Sequence, residues 1–154
     1  YLHHLIPSAL SYFVSFSTII ILWIDHHNLF RILKKADIPL VLLNFIFILF
    51  FSATPFTTSL AGRNYLSPYA VTIVASNYIL MNLAFSSIWV YALIKKLLND
   101  EMQQKLSTKF ENTIILAGIL LQFASIPLAY VSTYLSFLMF ILVLILHLIR
   151  LSRH

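Results

Sequence analysis

The sequence predicts an all-α membrane protein, a bundle of helices that crosses a bilayer several times. Of its 154 residues, 60% are apolar and only 10% are Asp, Glu, Lys or Arg, and the mean hydropathy is +0.91. Soluble domains average about 45–50% apolar and about 25% charged residues. The 10 basic and 5 acidic residues cannot cover a soluble domain of this size. The same composition excludes intrinsic disorder, and the lack of cysteine excludes disulfides and thiolate metal sites.

Long uncharged stretches of the chain predict five membrane spans. A spanning helix needs about 20 residues at 1.5 Å each, and the last uncharged stretch is long enough for two such helices. Pro127 and the polar residues after it predict a tight hairpin that divides this stretch. The predicted spans A to E cover residues 8–30, 38–58, 67–95, 109–127 and 133–151.

Capping residues support three of the predicted helix starts. Asp37 followed by Pro39, and Ser67 followed by Pro68, combine an N-cap residue with an early-helix proline. Thr108 and Glu111 have the spacing of a capping box at the start of span D.

The distribution of basic residues predicts the orientation in the membrane. Along the chain, the segments before, between and after spans A to E carry 0, 3, 1, 4, 0 and 2 Lys and Arg residues, when Lys95, Lys109 and Arg150 at the span ends are counted with the adjoining segment. Because basic residues accumulate on the cytoplasmic side, the A–B loop, the C–D loop and the C-terminus are expected there. The basic excess is thus an orientation signal, and no nucleic-acid partner is expected. An outside N-terminus that begins at Tyr1 predicts one more span upstream, hence six spans with both ends inside.

An unusual polar and aromatic cluster lies where span A reaches the predicted cytoplasmic face. Trp23, His26, His27 and Phe30 follow the spacing i, i+3, i+4, i+7 and share one side of a helix. One interpretation is a polar cluster buried against other helices. The other is an interfacial belt, with Trp at the headgroups and Asp25 and the histidines in water.

Small polar residues inside the spans leave two further interpretations open. Ser11, Ser15 and Thr18 share one face of span A, and Asn44 lies inside span B. These side chains either form hydrogen bonds between helices or line a water-filled path. Spans B to E contain no acidic residue apart from Glu111 at a helix start, which weakens the case for a proton-coupled transporter.

No enzyme, metal centre or resident cofactor is expected. Six histidines are too few for a histidine-rich di-iron enzyme, and the motif H-E-x-x-H is absent. Gly-rich phosphate loops and a plausible Ser–His–carboxylate set are also absent from the sequence. A haem held by His147 and either His26 or His27 remains an alternative.

The segment from Tyr12 to Gly62 contains a distinctive series of motifs. They are the run Tyr-Phe-Val-Ser-Phe at 12–16, Trp-x-x-His-His-x-x-Phe-Arg at 23–31, Asn44, and Ser-Ala-Thr-Pro-Phe-Thr-Thr-Ser-Leu-Ala-Gly at 52–62. In this order they resemble the lysosomal potassium channel family of the transmembrane protein 175 type, in its single-repeat prokaryotic form. These segments match the second and third helices of that family.

The resemblance implies six helices per repeat and a homotetramer around a central pore that conducts K⁺ in a prokaryotic plasma membrane. It also implies that Trp23, His26 and Asn44 hydrogen-bond a first helix with the signature Arg…Phe-Ser-Asp, with His27 beside them. No Phe-Ser-Asp occurs in this sequence, so the residues that select the ion are expected upstream of Tyr1. The alternatives are a secondary transporter or proton-coupled permease, and a haem-bearing membrane subunit.

Overall fold

The computed structural model describes the backbone of residues 2–64, 66–100 and 109–151, and within these residues every regular element is an α-helix. Their strand-like feature is an isolated antiparallel bridge between Leu33 and Leu98. The helices are α1 (Leu2–Arg31), α2 (Ile38–Arg63), α3 (Pro68–Ile94), α4 (Lys109–Val131) and α5 (Thr133–Leu151).

The predicted all-α fold class is confirmed for the described residues, and two of the helices are consistent with a helical membrane protein. Among the described residues, α2 and α3 are long and apolar enough to cross a bilayer. That all the predicted spans cross the membrane, and that four chains surround a pore, remain predictions.

Three helix ends differ clearly from the predicted spans: α1 begins at Leu2, six residues before predicted span A, and α2 and α4 continue past the predicted ends of spans B and D. Pro55 lies inside α2, which continues to Arg63, and Pro127 lies inside α4, which continues to Val131. A proline removes one backbone hydrogen bond, and membrane helices tolerate this because neighbouring groups satisfy the freed carbonyl. The break between α4 and α5 falls at Ser132, whose N–H donates to the Leu128 carbonyl at 2.7 Å.

The predicted cap at Asp37 is confirmed in detail. Its carboxylate accepts a hydrogen bond from the Leu40 N–H at 3.1 Å and a second from the Tyr91 hydroxyl at 2.8 Å. Ser67 occupies the N-cap position of α3 in an extended conformation, but its side chain makes no capping hydrogen bond. The Thr108–Glu111 box lies outside the described side chains.

Neighbouring helices in the sequence pack side by side, and α3 lies at the centre. It packs against α2 on one side and α4 on the other, while α1 covers part of α2 and α5 pairs with α4. The core between α1, α2 and α3 contains the fully buried side chains of Leu29, Leu40, Phe47, Met81 and Ile88. Many apolar side chains of α2 remain exposed in the single chain, as expected for a helix that faces lipid or further helices.

The α1–α2 loop and the segment after α3 meet at one end of the bundle. The Lys34 N–H donates to the Leu97 carbonyl at 2.8 Å, and the Asn99 N–H donates to the Ile32 carbonyl at 2.9 Å. At the other end, the rings of Tyr69 and Tyr130 are in contact, so the end of α4 lies beside the start of α3.

Candidate functional site

The centre of the candidate site is a hydrogen bond between α1 and α2. His26 lies in the last turns of α1, and its Nε2 is 2.7 Å from Oδ1 of Asn44 in the second turn of α2. Because an amide oxygen only accepts, the imidazole donates through Nε2, and in the neutral imidazole Nδ1 is then an acceptor. We call Trp23, His26 and Asn44, together with Phe30 and Phe47, the α1–α2 cluster.

Aromatic rings from both α1 and α2 stack on the imidazole of His26. Its centroid lies 4.4 Å from that of Phe30 and 5.2 Å from that of Phe47, with interplanar angles of 27° and 9°. The indole of Trp23 stacks on the same imidazole at 5.8 Å. The spacing of Trp23, His26 and Phe30 on one helix side, predicted from the sequence, is what permits this stack.

Burial separates the predicted members of the cluster. His26 and Asn44 are half-buried, whereas Trp23 is 58% exposed and His27 is exposed. Consecutive residues on a helix point about 100° apart, so only one of two adjacent histidines faces α2. The structure brings Trp23, His26 and Asn44 together and leaves His27 outside the contact.

Asp25, one residue before His26, is only 6% exposed in the single chain. An interfacial belt would place this carboxylate in water, so that description does not hold for Asp25. The exposed faces of Trp23 and His27 remain compatible with a position at the headgroups.

The chemistry of the α1–α2 cluster is that of a hydrogen-bonding surface. The Trp23 indole provides a donor, the Asn44 amide nitrogen provides donors, and the imidazole of His26 provides an acceptor at Nδ1. A polar group on an adjacent membrane helix must find such partners within the protein. The cluster can therefore form hydrogen bonds with a polar helix that lies beside it in the bilayer.

Two of the other predicted polar positions of α1, Ser15 and Thr18, use their hydroxyls within the chain. Ser15 is buried and donates to the carbonyl of Tyr12 at 2.9 Å. Thr18 shares a hydrogen bond with the hydroxyl of Tyr78 on α3. The side chain of Ser11 lies outside the described residues. The interpretation of this face as the lining of a water path remains a prediction.

Sequence reasoning missed a second polar contact, between α2 and α3. The amide nitrogen of Asn77 donates to the carbonyl of Phe50 and to Oγ1 of Thr54, both at 3.2 Å. Thr54 directly precedes Pro55, and its hydrogen bond with Asn77 is buried. The Thr58 hydroxyl also donates to the Thr54 carbonyl at 2.8 Å. A proline flanked by threonines inside an apolar helix was the available sequence signal, because hydroxyls stabilise a helix turn that a proline loosens.

No cluster of three or more His, Cys, Asp or Glu residues that could hold a metal ion occurs within the described part of the chain. The side chain of His147, the second candidate ligand of a haem, lies outside that part.

The chain is similar to known potassium channels, and the matched family model covers the residues of the α1–α2 cluster. Residues 1–55 match the family model described as endosomal/lysosomal potassium channel TMEM175. A potassium channel of Chamaesiphon minutus is 25% identical over 89 residues, covering 56% of this chain and 44% of that protein. A potassium channel of Streptomyces collinus is 32% identical over 87 residues, covering 54% of this chain and 42% of that protein.

These matches span less than half the length of either relative. No solved structure matches the chain. The family match at residues 1–55 includes every residue of the α1–α2 cluster, and it confirms the resemblance inferred from the sequence.

Proposed function

This chain is related to the TMEM175-type potassium channels through residues 1–55, and we propose that it is a pore-forming subunit of a potassium-permeable cation channel. In this proposal the protein is not an enzyme, and it conducts ions passively. K⁺ is the permeating ion rather than a resident cofactor.

The observation that carries the proposal is the contact between His26 and Asn44 within the matched residues. This contact holds α1 on α2, and Trp23 extends it toward the outside of the single chain. In a channel, a pore helix with charged or polar side chains must be satisfied by its neighbours, because lipid offers no hydrogen bonds. The α1–α2 cluster has the donors and the acceptor for that role.

We place the ion-selecting residues outside the 154 residues. The family signature Phe-Ser-Asp is absent here, and so is a Thr-Val-Gly-Tyr-Gly segment of the kind that forms a carbonyl filter. Selection would then depend on the cost of stripping water from the ion at a hydrophobic constriction made by a first helix. Four copies around a central axis would complete the pore.

We further propose that the α1–α2 loop and the segment after α3 face the cytoplasm of a prokaryotic cell. Both carry basic residues, and the backbone hydrogen bonds between them put them at the same end of the bundle. The basic count is lower at the α2–α3 loop, where Arg63 lies.

Reconstitution of the full-length protein in liposomes tests the function. We expect a K⁺ current that reverses at the equilibrium potential of K⁺. Flux that requires a second solute or a proton gradient would contradict the channel proposal and indicate a secondary transporter or a proton-coupled permease. A Soret band in the purified protein would favour the haem-bearing alternative.

A second comparison tests the origin of the pore lining. Residues 1–154 expressed by themselves should insert but carry no selective K⁺ current, whereas the full-length protein should conduct. A selective current from residues 1–154 would transfer the lining to the face of α1 that contains Ser15 and Thr18.

A further inference from the structure

Two loops join at one end of the bundle and concentrate positive charge there. The backbone hydrogen bonds of Lys34 with Leu97 and of Asn99 with Ile32 align the segments antiparallel. The Lys34 ammonium also pairs with the Asp100 carboxylate at 2.6 Å. This contact brings four further exposed basic residues to the same end, which we call the basic rim: Arg31, Lys35, Lys95 and Lys96.

Among the residues that the structure describes, the acids at this end do not balance the rim. Asp100 is paired with Lys34, and Asp37, which is near Lys35, accepts hydrogen bonds as the cap of α2. Arg31, Lys95 and Lys96 have no acidic partner within the described residues. The described part of this end therefore carries an excess of positive charge.

The rim lies where three helices end at a common level. α1 ends at Arg31, α2 begins at Ile38 and α3 ends at Ile94. Ile38 is 76% exposed and Ile94 is 71% exposed, so large apolar side chains border the cations. Apolar side chains next to exposed cations are typical of the boundary between hydrocarbon and headgroups.

The backbone at Lys96 points to a specific role for this cation. Lys96 has φ 53°, in the left-handed region, and ends α3 in a Schellman motif with hydrogen bonds from Lys96 N–H to Leu93 and from Leu97 N–H to Ala92. Glycine is the usual residue at this position because it has no Cβ to clash. The accumulation of basic residues in cytoplasmic loops does not depend on their exact position in the loop, so it does not explain why a lysine occupies this left-handed position.

The two joined segments carry like charges on both sides of their contact. Lys35 follows Lys34 on one segment, and Lys96 precedes Leu97 on the other. Like charges on neighbouring segments repel each other. An anion bound at this end would reduce this repulsion.

We propose that the basic rim binds the phosphate of an anionic phospholipid headgroup. The position at the ends of three membrane helices, with exposed isoleucines beside the cations, favours a lipid over a free phosphate. Clusters of lysine and arginine next to membrane helices attract anionic lipids by this mechanism. The inference does not depend on ion conduction.

The test measures lipid binding to the purified full-length protein in mild detergent. Native mass spectrometry compares phosphatidylglycerol with phosphatidylcholine of the same acyl chains. We expect phosphatidylglycerol to bind more tightly, with an affinity that falls as ionic strength rises. Lys96→Gly and Arg31→Gln should each weaken phosphatidylglycerol binding about fivefold, because each removes one cation near the headgroup.

Lys96→Gly separates binding from folding. Glycine relieves the left-handed strain, so the melting temperature of this variant should equal or exceed that of the wild type while lipid binding falls. Arg63→Gln is the matched control, since it removes one exposed cation at the other end of α2, and it should bind phosphatidylglycerol like the wild type.

Three results would overturn the proposal. Equal binding of the two lipids by the wild type would remove the preference for an anionic headgroup. An equal loss in Arg63→Gln would reduce the effect to net charge. Displacement of phosphatidylglycerol by inorganic phosphate would assign the site to free phosphate.

Discussion

Replacing His26 by alanine removes the contacts that hold the last turns of α1 on α2. The hydrogen bond to Asn44 would be lost, and hydrogen bonds between membrane helices contribute about 0.6 and at most about 1.7 kcal/mol. The rings of Phe30 and Phe47, at 4.4 and 5.2 Å, would lose their partner, at about 0.5–1.5 kcal/mol each. We therefore expect His26→Ala to lower the free energy of unfolding by about 2–4 kcal/mol.

Reversible unfolding in mixed micelles measures this loss, and a double-mutant cycle with Asn44→Ala isolates the hydrogen bond. The coupling energy should be about 0.5–2 kcal/mol, because the two side chains are in direct contact. His27→Ala is the matched control, as it removes the same kind of side chain from an exposed position and should change stability by less than about 0.5 kcal/mol. If the cluster supports a pore helix, K⁺ flux in liposomes should fall for His26→Ala and remain normal for His27→Ala.

Equal stability of His26→Ala and His27→Ala would contradict a stabilising role for the contacts of His26. A coupling energy of zero between His26 and Asn44 would refute the hydrogen bond specifically. Normal K⁺ flux together with reduced stability in His26→Ala would support the contact but contradict its role in the pore.

Two further predictions concern polar contacts, and a third concerns the orientation in the membrane. The hydrogen bond from the Tyr91 hydroxyl holds the pKa of the Asp37 carboxyl below its ordinary value of 3.8. This pair therefore stabilises the protein above that pH, and its contribution is lost as the pH falls through the lowered pKa. Tyr91→Phe should reduce the acid sensitivity of the melting temperature, and an unchanged pH profile would contradict this prediction. Asn77→Leu should lower the free energy of unfolding by about 1–3 kcal/mol, because buried hydroxyl and carbonyl groups lose a partner, and chemical denaturation with wild-type stability would count against that contact. Since the chain has no cysteine, a cysteine at Asn64 should react with an impermeant thiol reagent in intact cells and one at Ala36 should not, whereas the opposite pattern would reverse the proposed orientation.

Helix positions were predictable from the sequence because they depend on local quantities. Uncharged length, the charges between spans and the cap at Asp37 are all read from consecutive residues, and in a bilayer an apolar stretch of sufficient length has to form a helix. The hairpin after α4 was predicted for the same reason, but its position was wrong by a few residues. The predicted helix end at Pro127 is wrong, because the helix continues through this proline to Val131, as membrane helices can when the freed carbonyl finds another partner.

The candidate site was predictable in its composition and only partly in its geometry. Helical spacing put Trp23 and His26 on one side of α1, and the family resemblance added Asn44. That His26 rather than His27 meets α2 depends on the rotation of α1 about its axis, which packing determines. The contact of Asn77 with Thr54 could not be predicted, because it joins residues 23 apart on helices that are uniformly apolar around their circumference.

Composition, charge spacing and motifs act over short distances along the chain, so the amino-acid sequence alone predicted a helical membrane protein, the starts of α2 to α5 within one residue, and the family that the chain resembles. Only the tertiary structure decided that α3 is the central helix, that His26 bonds Asn44, and that the loops at Lys34 and Leu97 join into one basic end. In a chain this apolar, hydrophobicity hardly distinguishes one helix face from another. The choice of neighbours therefore rests on side-chain fit and on a few polar contacts, which exist only once the helices are packed.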